Sequence, residues 1–234
     1  MHFAVNREHR DFFRTHHWIE CEELLSSEEL HKISRSIALV LGERLKVRQG
    51  IADVARLSPN QMFSAGRDVW RGEAALKKIV LSRGLAGIAA ELTEQRPLRL
   101  GYDMLFPSCP TFADTDDNFE KLIKTTPTLS DISALQGVIC GAMLCISAPS
   151  DANSSVSELF SLTPGSAIFF PPDWPLPLHD LTQRRGAMYL MVVYVQAKAV
   201  YLRQENDPHV HALKSLGYQF GDRLTDLLNP IVYP

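Results

Sequence analysis

The chain has 234 residues, of which 45% are hydrophobic and 22% charged, a globular composition at a length that suits one barrel-type domain or two small ones equally. Its formal net charge of −3 argues against a general nucleic-acid binder, which tracks phosphates with an excess of Lys and Arg. No apolar run reaches the roughly eighteen residues that a membrane span needs, and the opening MHFAVNREHRDFF carries charges where a secretory signal has its apolar segment.

The expected location is therefore the cytoplasm. Its reducing conditions suit the four cysteines, Cys21, Cys109, Cys140 and Cys145, which form no C-x-x-C pair and are expected to be buried free thiols.

The first half reads as helix. LLSSEELHKISRSIALVLGERL opens on a capping box, Ser26 with Glu29 three residues on, a pair that satisfies orphan amides at a helix start. Leu30, Ile33, Ile37, Val40 or Leu41, and Leu45 then recur at helical spacing. Two further helical pieces follow in GRDVWRGEAALKKIVLSRGLAGIAAELTEQ. Leu76, Ile79 and Val80 mark the first, Gly84 is the expected break, and Leu85, Ile88 and Leu92 mark the second.

The second half changes character. PLRLGYDMLF reads as a strand closed by the Pro107–Pro110 turn, and FADTDDNFEKLIKTTPTLSD as an acidic loop with at most one short helix. LQGVICGAMLCIS is apolar for too long to be a surface strand. It predicts a strand buried on both faces, with Gly137 and Gly141 marking a bulge or a close approach.

APSDANSSVS is turn material, ELFSLTPGSAIFF reads as two short strands joined at Pro164-Gly165, and AMYLMVVYVQAKAVYL is strand-rich. The tail HVHALKSLGYQFGDRLTDLLNPIVYP reads as a helix or two with an extended end. Helices first and short strands after predict an α+β fold, a barrel or sandwich packed on a helical layer. The expected divisions of the single domain, residues 1–234, are a helical support (1–96), barrel strands (97–203) and a C-terminal helix and tail (204–234).

The segments VWRGEAALKKIVLSRGLAGIAAEL, TPGSAIFFPPDWPLPLHD, LGYQFGDRLTDLLNPIVY and DFFRTHHWIECEELLSSEELHKI resemble the phytanoyl-CoA hydroxylase-like branch of the iron(II)- and 2-oxoglutarate-dependent oxygenases. The resemblance implies a double-stranded β-helix, a cupin-like jelly-roll barrel buttressed by the early helices. It also implies iron held by two His and one carboxylate, with positions open for co-substrate and oxygen. An Arg would fork onto the far carboxylate of 2-oxoglutarate.

This chain departs from that pattern. No histidine lies between His31 and His179, so the H-x-D half of the triad has no imidazole. Phe112 to Asp114 and Leu129 to Asp131 have the right shape without the ligand. The second runs directly into the buried strand and puts Leu129 at the histidine position and Asp131 at the carboxylate position. Counting back from Arg185 by the family spacing lands at Trp174 and Pro175, and His179 is too close to Arg185.

Each residue also has a plainer reading. Asp131 follows Ser130 and suits a turn, and His179 suits packing in a Pro-rich loop. Arg184 and Arg185 sit where a strand begins, so at most one enters a barrel, and that one is the candidate for the anion-binding place that the resemblance implies, while the other is solvated. His16 and His17 suit a loop or edge strand, and His209 and His211 a loop entering a helix.

Three accounts follow. The favoured one is a non-catalytic or diverged member of the oxygenase fold with no cofactor, which binds a small molecule or a protein. The second is an active oxygenase using Fe(II) and 2-oxoglutarate with atypical ligands, Asp131 and His179 among them. The third is a metal-responsive regulator built on His16, His17, His209 and His211.

Overall fold

A computed structural model describes residues 3–47, 56–111, 117–147 and 163–234. The predicted segments at Phe112–Asp114 and around 148–162 lie outside the described residues. Helix α1 (Arg7–His16) leads into strand β1 (Ile19–Cys21) and helix α2 (Ser27–Arg44), whose capping box is Ser26 with Glu29, as its sequence predicts. Helix α3 (Pro59–Ala65) precedes a short 3₁₀ turn at Val69–Arg71.

Helices α4 (Ala74–Val80) and α5 (Arg83–Thr93) follow. The break between them falls at Leu81 and Ser82 and not at Gly84. The Ser82 side chain accepts from the Leu85 amide, which starts the new helix one residue earlier and leaves Gly84 inside it. His16 and His17 also differ from expectation. His16 ends α1, and His17 caps it in the left-handed region at φ 61°.

The strands are β2 (Leu98–Pro107), β3 (Leu135–Ser147), β4 (Ala167–Phe170), β5 (Met188–Tyr201) and β6 (Ile231–Tyr233). They form one sheet in the order β1-β4-β3-β5-β2-β6, antiparallel at every step. Helices α6 (Asn118–Ile123) and α7 (Leu178–Gln183) lie in the connections. The predicted tail helices are absent among the described residues. A 3₁₀ turn at Ala212–Leu216 gives way to turns, and the extended end pairs with β2 as β6.

Both faces of the sheet are buried, so the strands alternate between two cores. Cys140, Ala142 and Leu144 of β3 and Leu190, Val192 and Tyr194 of β5 face helices α2, α4 and α5. Met143 and Cys145 of β3 and Tyr189, Met191 and Val193 of β5 face the opposite layer, made from the connections around 119–135 and 171–187. Cys140 and Cys145 thus point to opposite faces, and all four cysteines are free and buried. Burial pushes the thiols of Cys21, Cys140 and Cys145 up to about 12, which keeps them protonated.

Strand β2 switches face at a bulge. Leu98 and Leu100 lie in the helix-side core, whereas Tyr102, Met104 and Phe106 lie in the other, because the register shifts between Leu100 and Tyr102. Gly101 has no room for a side chain, since a Cβ there would lie 2.9 Å from Val195 Cγ1. The Asn229 amide holds the bulge, donating to the carbonyls of Leu100 at 3.2 Å and Gly101 at 2.7 Å.

The free edge of β2 is covered by residues 66–70. Leu105 N donates to Gly66 O and Asp68 N to Asp103 O, and Arg67 bridges Met104. The Asp103 carboxylate accepts from the amides of Val69 at 3.0 Å and Trp70 at 3.4 Å. Arg44 of α2 binds the carbonyls of Ala65, Arg67 and Asp68. Because bridged residues share a face, this strap turns Arg67 toward the same side as Met104, away from the helices.

Candidate functional site

The sheet face opposite the helices carries the candidate site. Four residues form a row across it: Phe170 of β4 pairs with Gly141 of β3, Gly141 with Val193 of β5, and Val193 with Tyr102 of β2. Each end of this row holds a distinct group of side chains.

At the Phe170 end, residues 127–131 run antiparallel to 172–176. Thr128 and Pro175 form a bridge, Leu176 N donates to Pro127 O at 2.9 Å and Ser130 N to Pro172 O at 2.9 Å. Leu129 and Trp174, far apart in sequence, are thereby brought to one aromatic ring. The Trp174 ring lies 5.5 Å from that of Phe170. Leu129 is fully buried, and a side chain at Gly141 would press on both Phe170 and Leu129.

The close approach expected at Gly141 is therefore the seat of the Phe170 ring. Gly137, at φ +85°, lies in the bulged part of β3, where the register shifts on either side of Val138.

The other residues singled out in the sequence do not join this group. Asp131 is exposed, and its carboxylate closes a turn by accepting from Thr128 N at 2.9 Å and Thr128 Oγ1 at 2.8 Å. His179 lies in helix α7 and not in a loop, half-exposed, with Nδ1 3.3 Å from Asp180 and Nε2 3.4 Å from the Gln183 amide nitrogen. Arg184 and Arg185 precede the strand, since Gly186 turns the chain before β5 begins at Met188. Arg184 is half-buried and its charge acts on Tyr189 and Cys145, while Arg185 is exposed.

An iron site of the oxygenase type does not fit these residues. Leu129 has no lone pair, the Trp174 indole N–H is a donor only, and both lie against an aromatic ring. The Asp131 carboxylate is engaged in its own turn. Among the described residues, no group of three or more His, Cys, Asp or Glu side chains is placed to hold a metal. His209 and His211 diverge as well, packing on Phe63 and Phe220 respectively.

The Tyr102 end of the row is polar, and nothing in the sequence pattern points to it. The Arg67 guanidinium lies 3.3 Å from the centroid of the Tyr102 ring. The Tyr102 hydroxyl is 2.5 Å from Ser133 Oγ. Beside them, Asp207 accepts from the amides of Ala134 at 2.8 Å and His209 at 2.7 Å, and the Tyr201 hydroxyl donates to the Val210 carbonyl.

Burial pushes the Tyr102 phenol up to about 12 against the opposing charge of Arg67. It pushes His209 down to about 3, with Arg67 acting in the same direction. The imidazole is neutral at physiological pH. Arg67 and Ser133 sit in stretches whose periodicity gives no sign of inward orientation; that comes from the strap on β2 and from the turn before β3.

No protein-family model and no curated protein matches the chain. Solved structures do. The non-heme alpha-ketoglutarate-dependent carbocyclase SnoK from nogalamycin biosynthesis is similar over 97% of this chain and 96% of its own, with a TM-score of 0.62 and 16% identity. The alpha-ketoglutarate-dependent epimerase SnoN from the same biosynthesis is similar over 97% and 98%, with a TM-score of 0.61 and 15% identity. A structure of SnoN in complex with Fe3+, alpha-ketoglutarate and nogalamycin RO gives a TM-score of 0.58 over 96% of this chain at 15% identity. The chain has the fold of these non-heme, alpha-ketoglutarate-dependent enzymes.

Proposed function

We propose that this protein is a diverged, non-catalytic member of the 2-oxoglutarate oxygenase fold that binds a small molecule without iron. The observation that carries this reading is the convergence of Leu129 and Trp174 on Phe170. The two positions that would supply imidazoles instead complete an apolar cluster. On this reading the six-stranded sheet is the larger wall of a double-stranded β-helix of the phytanoyl-CoA hydroxylase-like branch, and the paired segments 127–131 and 172–176 belong to its opposing wall. Helices α2, α4 and α5 are its support. Fold alone does not confer the activity of its neighbours; a site does.

Incubation with Fe(II), ascorbate and 2-oxoglutarate in air is expected to release succinate and CO2 no faster than buffer. Turnover above buffer that disappears in His179→Ala would instead favour an oxygenase with rearranged ligands.

A further inference from the structure

A groove of about 440 Å³ lies beside the row, lined by the later turns of α1, the end of α5 and the bulged start of β3. That volume falls within the roughly 300–1,000 Å³ of small-molecule pockets. Its floor is apolar: Phe13 of α1, Val138 and Ile139 of β3, and Pro171 and Pro172 after β4. Strand β3 is buried from Cys140 to Ile146, yet Val138 and Ile139 are only half-buried. Beside the bulge at Gly137, two branched side chains are thus left part-open, and they face this groove.

The rim is basic. Arg10, Arg14 and His17 recur at i, i+4 and i+7, which puts them on one face of α1, successive Cβ atoms about 5–6 Å apart. All three line the groove. Arg10 is half-buried and, among the described residues, has no ion-pair partner. Arg14 gives one of its five donors to Asp11 on its own helix, and Asp11 does not line the groove.

The acidic group of the lining is Glu94, which caps α5 in the left-handed region at φ 54°. Counted formally, two guanidiniums against one carboxylate leave a single positive charge. Helices α1 and α5 both end at the groove, and their terminal carbonyls lower the potential further. The surplus suits one negative charge and not two.

We propose that this groove binds a small apolar monocarboxylate, its head received by Arg10 and Arg14 and its hydrocarbon laid on Val138, Ile139 and the two prolines. A guanidinium offers a carboxylate parallel N–H donors, and the floor gains from each methylene removed from water. A phosphate dianion would bring a second charge against Glu94 and the carbonyl ends of two helices. This rests on the small-molecule part of the proposed function and names its site and ligand class.

Calorimetric titration of the full chain with butanoate, hexanoate and octanoate at constant ionic strength tests the assignment, with 1-hexanol and inorganic phosphate as separate arms. Saturable one-to-one binding of octanoate is expected, with affinity rising by up to about four-fold per methylene along the series. Neither 1-hexanol nor phosphate should saturate. Arg10→Met should weaken octanoate at least about ten-fold, since it removes a hydrogen bond to a charged group. Arg35→Met, which removes the same charge from an exposed position on α2, should bind as the parent does.

No saturable binding of octanoate, an affinity that ignores chain length, equal binding of 1-hexanol or phosphate, or unchanged affinity in Arg10→Met would overturn the proposal. If Arg10→Met does not fold, Arg14→Met decides, because Arg14 is exposed and methionine is a good helix former. Failure here would leave the iron-free reading standing, because that reading depends on Leu129 and Trp174. Capture of iron would sink that reading and leave the groove untouched.

Discussion

Replacing Leu129 by alanine is expected to destabilise the fold by about 2–5 kcal/mol, the range for truncating a buried leucine. Leu129 has no exposed surface and packs where the Phe170 ring crosses Gly141. Truncation removes methyl groups from a site whose walls are strand backbone and an aromatic ring, so collapse into the cavity is limited. Urea unfolding reads the effect directly, as a lower midpoint with an unchanged slope. A residue that stood at an open metal position would behave otherwise, and its truncation would leave the metal-free protein nearly as stable. Asp131→Ala supplies the internal contrast: it removes two exposed hydrogen bonds from Thr128 within one turn and should cost within about 1 kcal/mol.

The second large effect is on the pH dependence of stability, where Asp103 and His209 oppose each other. Burial, reinforced by the neighbouring Asp68, pushes the Asp103 carboxyl from 3.8 up to about 8. Between these values the folded protein holds a proton that the unfolded chain releases. The contribution of Asp103 is therefore complete below about pH 4 and is lost as pH rises to about 8, by up to about 1.4 kcal/mol per pH unit for one proton.

His209 runs the other way. Its folded value lies at about 3 against 6.5 unfolded, so its contribution is complete above 6.5 and is lost as pH falls toward 3. Between about 4 and 6.5 the two slopes cancel, and between 6.5 and 8 the Asp103 loss stands alone. Stability should be flat across the acidic range and fall from pH 6.5 to 8. Asp103→Asn keeps an acceptor for the Val69 amide, and should abolish that fall and expose a rise between pH 4 and 6.5. Thermal melts of both proteins across this range check it; a parallel fall in the variant would show that Asp103 is not its source.

The helices and strands were legible because their signals are local. Ser26 with Glu29 makes a capping box in the sequence and in the fold, and the apolar run from Leu135 to Ser147 is a strand with both faces covered. Local signals failed where tertiary contacts decide. The tail looks helical by composition, yet Asn229 and Arg99 bind it along β2 through Asn229 Nδ2 and through Arg99 Nη1 to the Asn229 carbonyl at 2.5 Å.

The site divided in the same manner. Leu129 and Trp174 could be singled out from family spacing, but their shared ring, Phe170, became visible only once segments 127–131 and 172–176 paired. Arg67 carried no signal, because its direction is set by a one-residue bridge to Met104. An arginine flanked by Gly66 and Asp68 reads as surface until that bridge turns it inward.

The central claim is that this fold keeps its wall and has replaced the metal position with packed side chains. An anaerobic titration with Fe(II) and 2-oxoglutarate, followed by visible absorption, addresses it most directly. No saturable charge-transfer band at any concentration is the result that this account predicts. A saturable band, lost on His179→Ala or Asp131→Ala, would contradict it and establish a metal centre with a different ligand set.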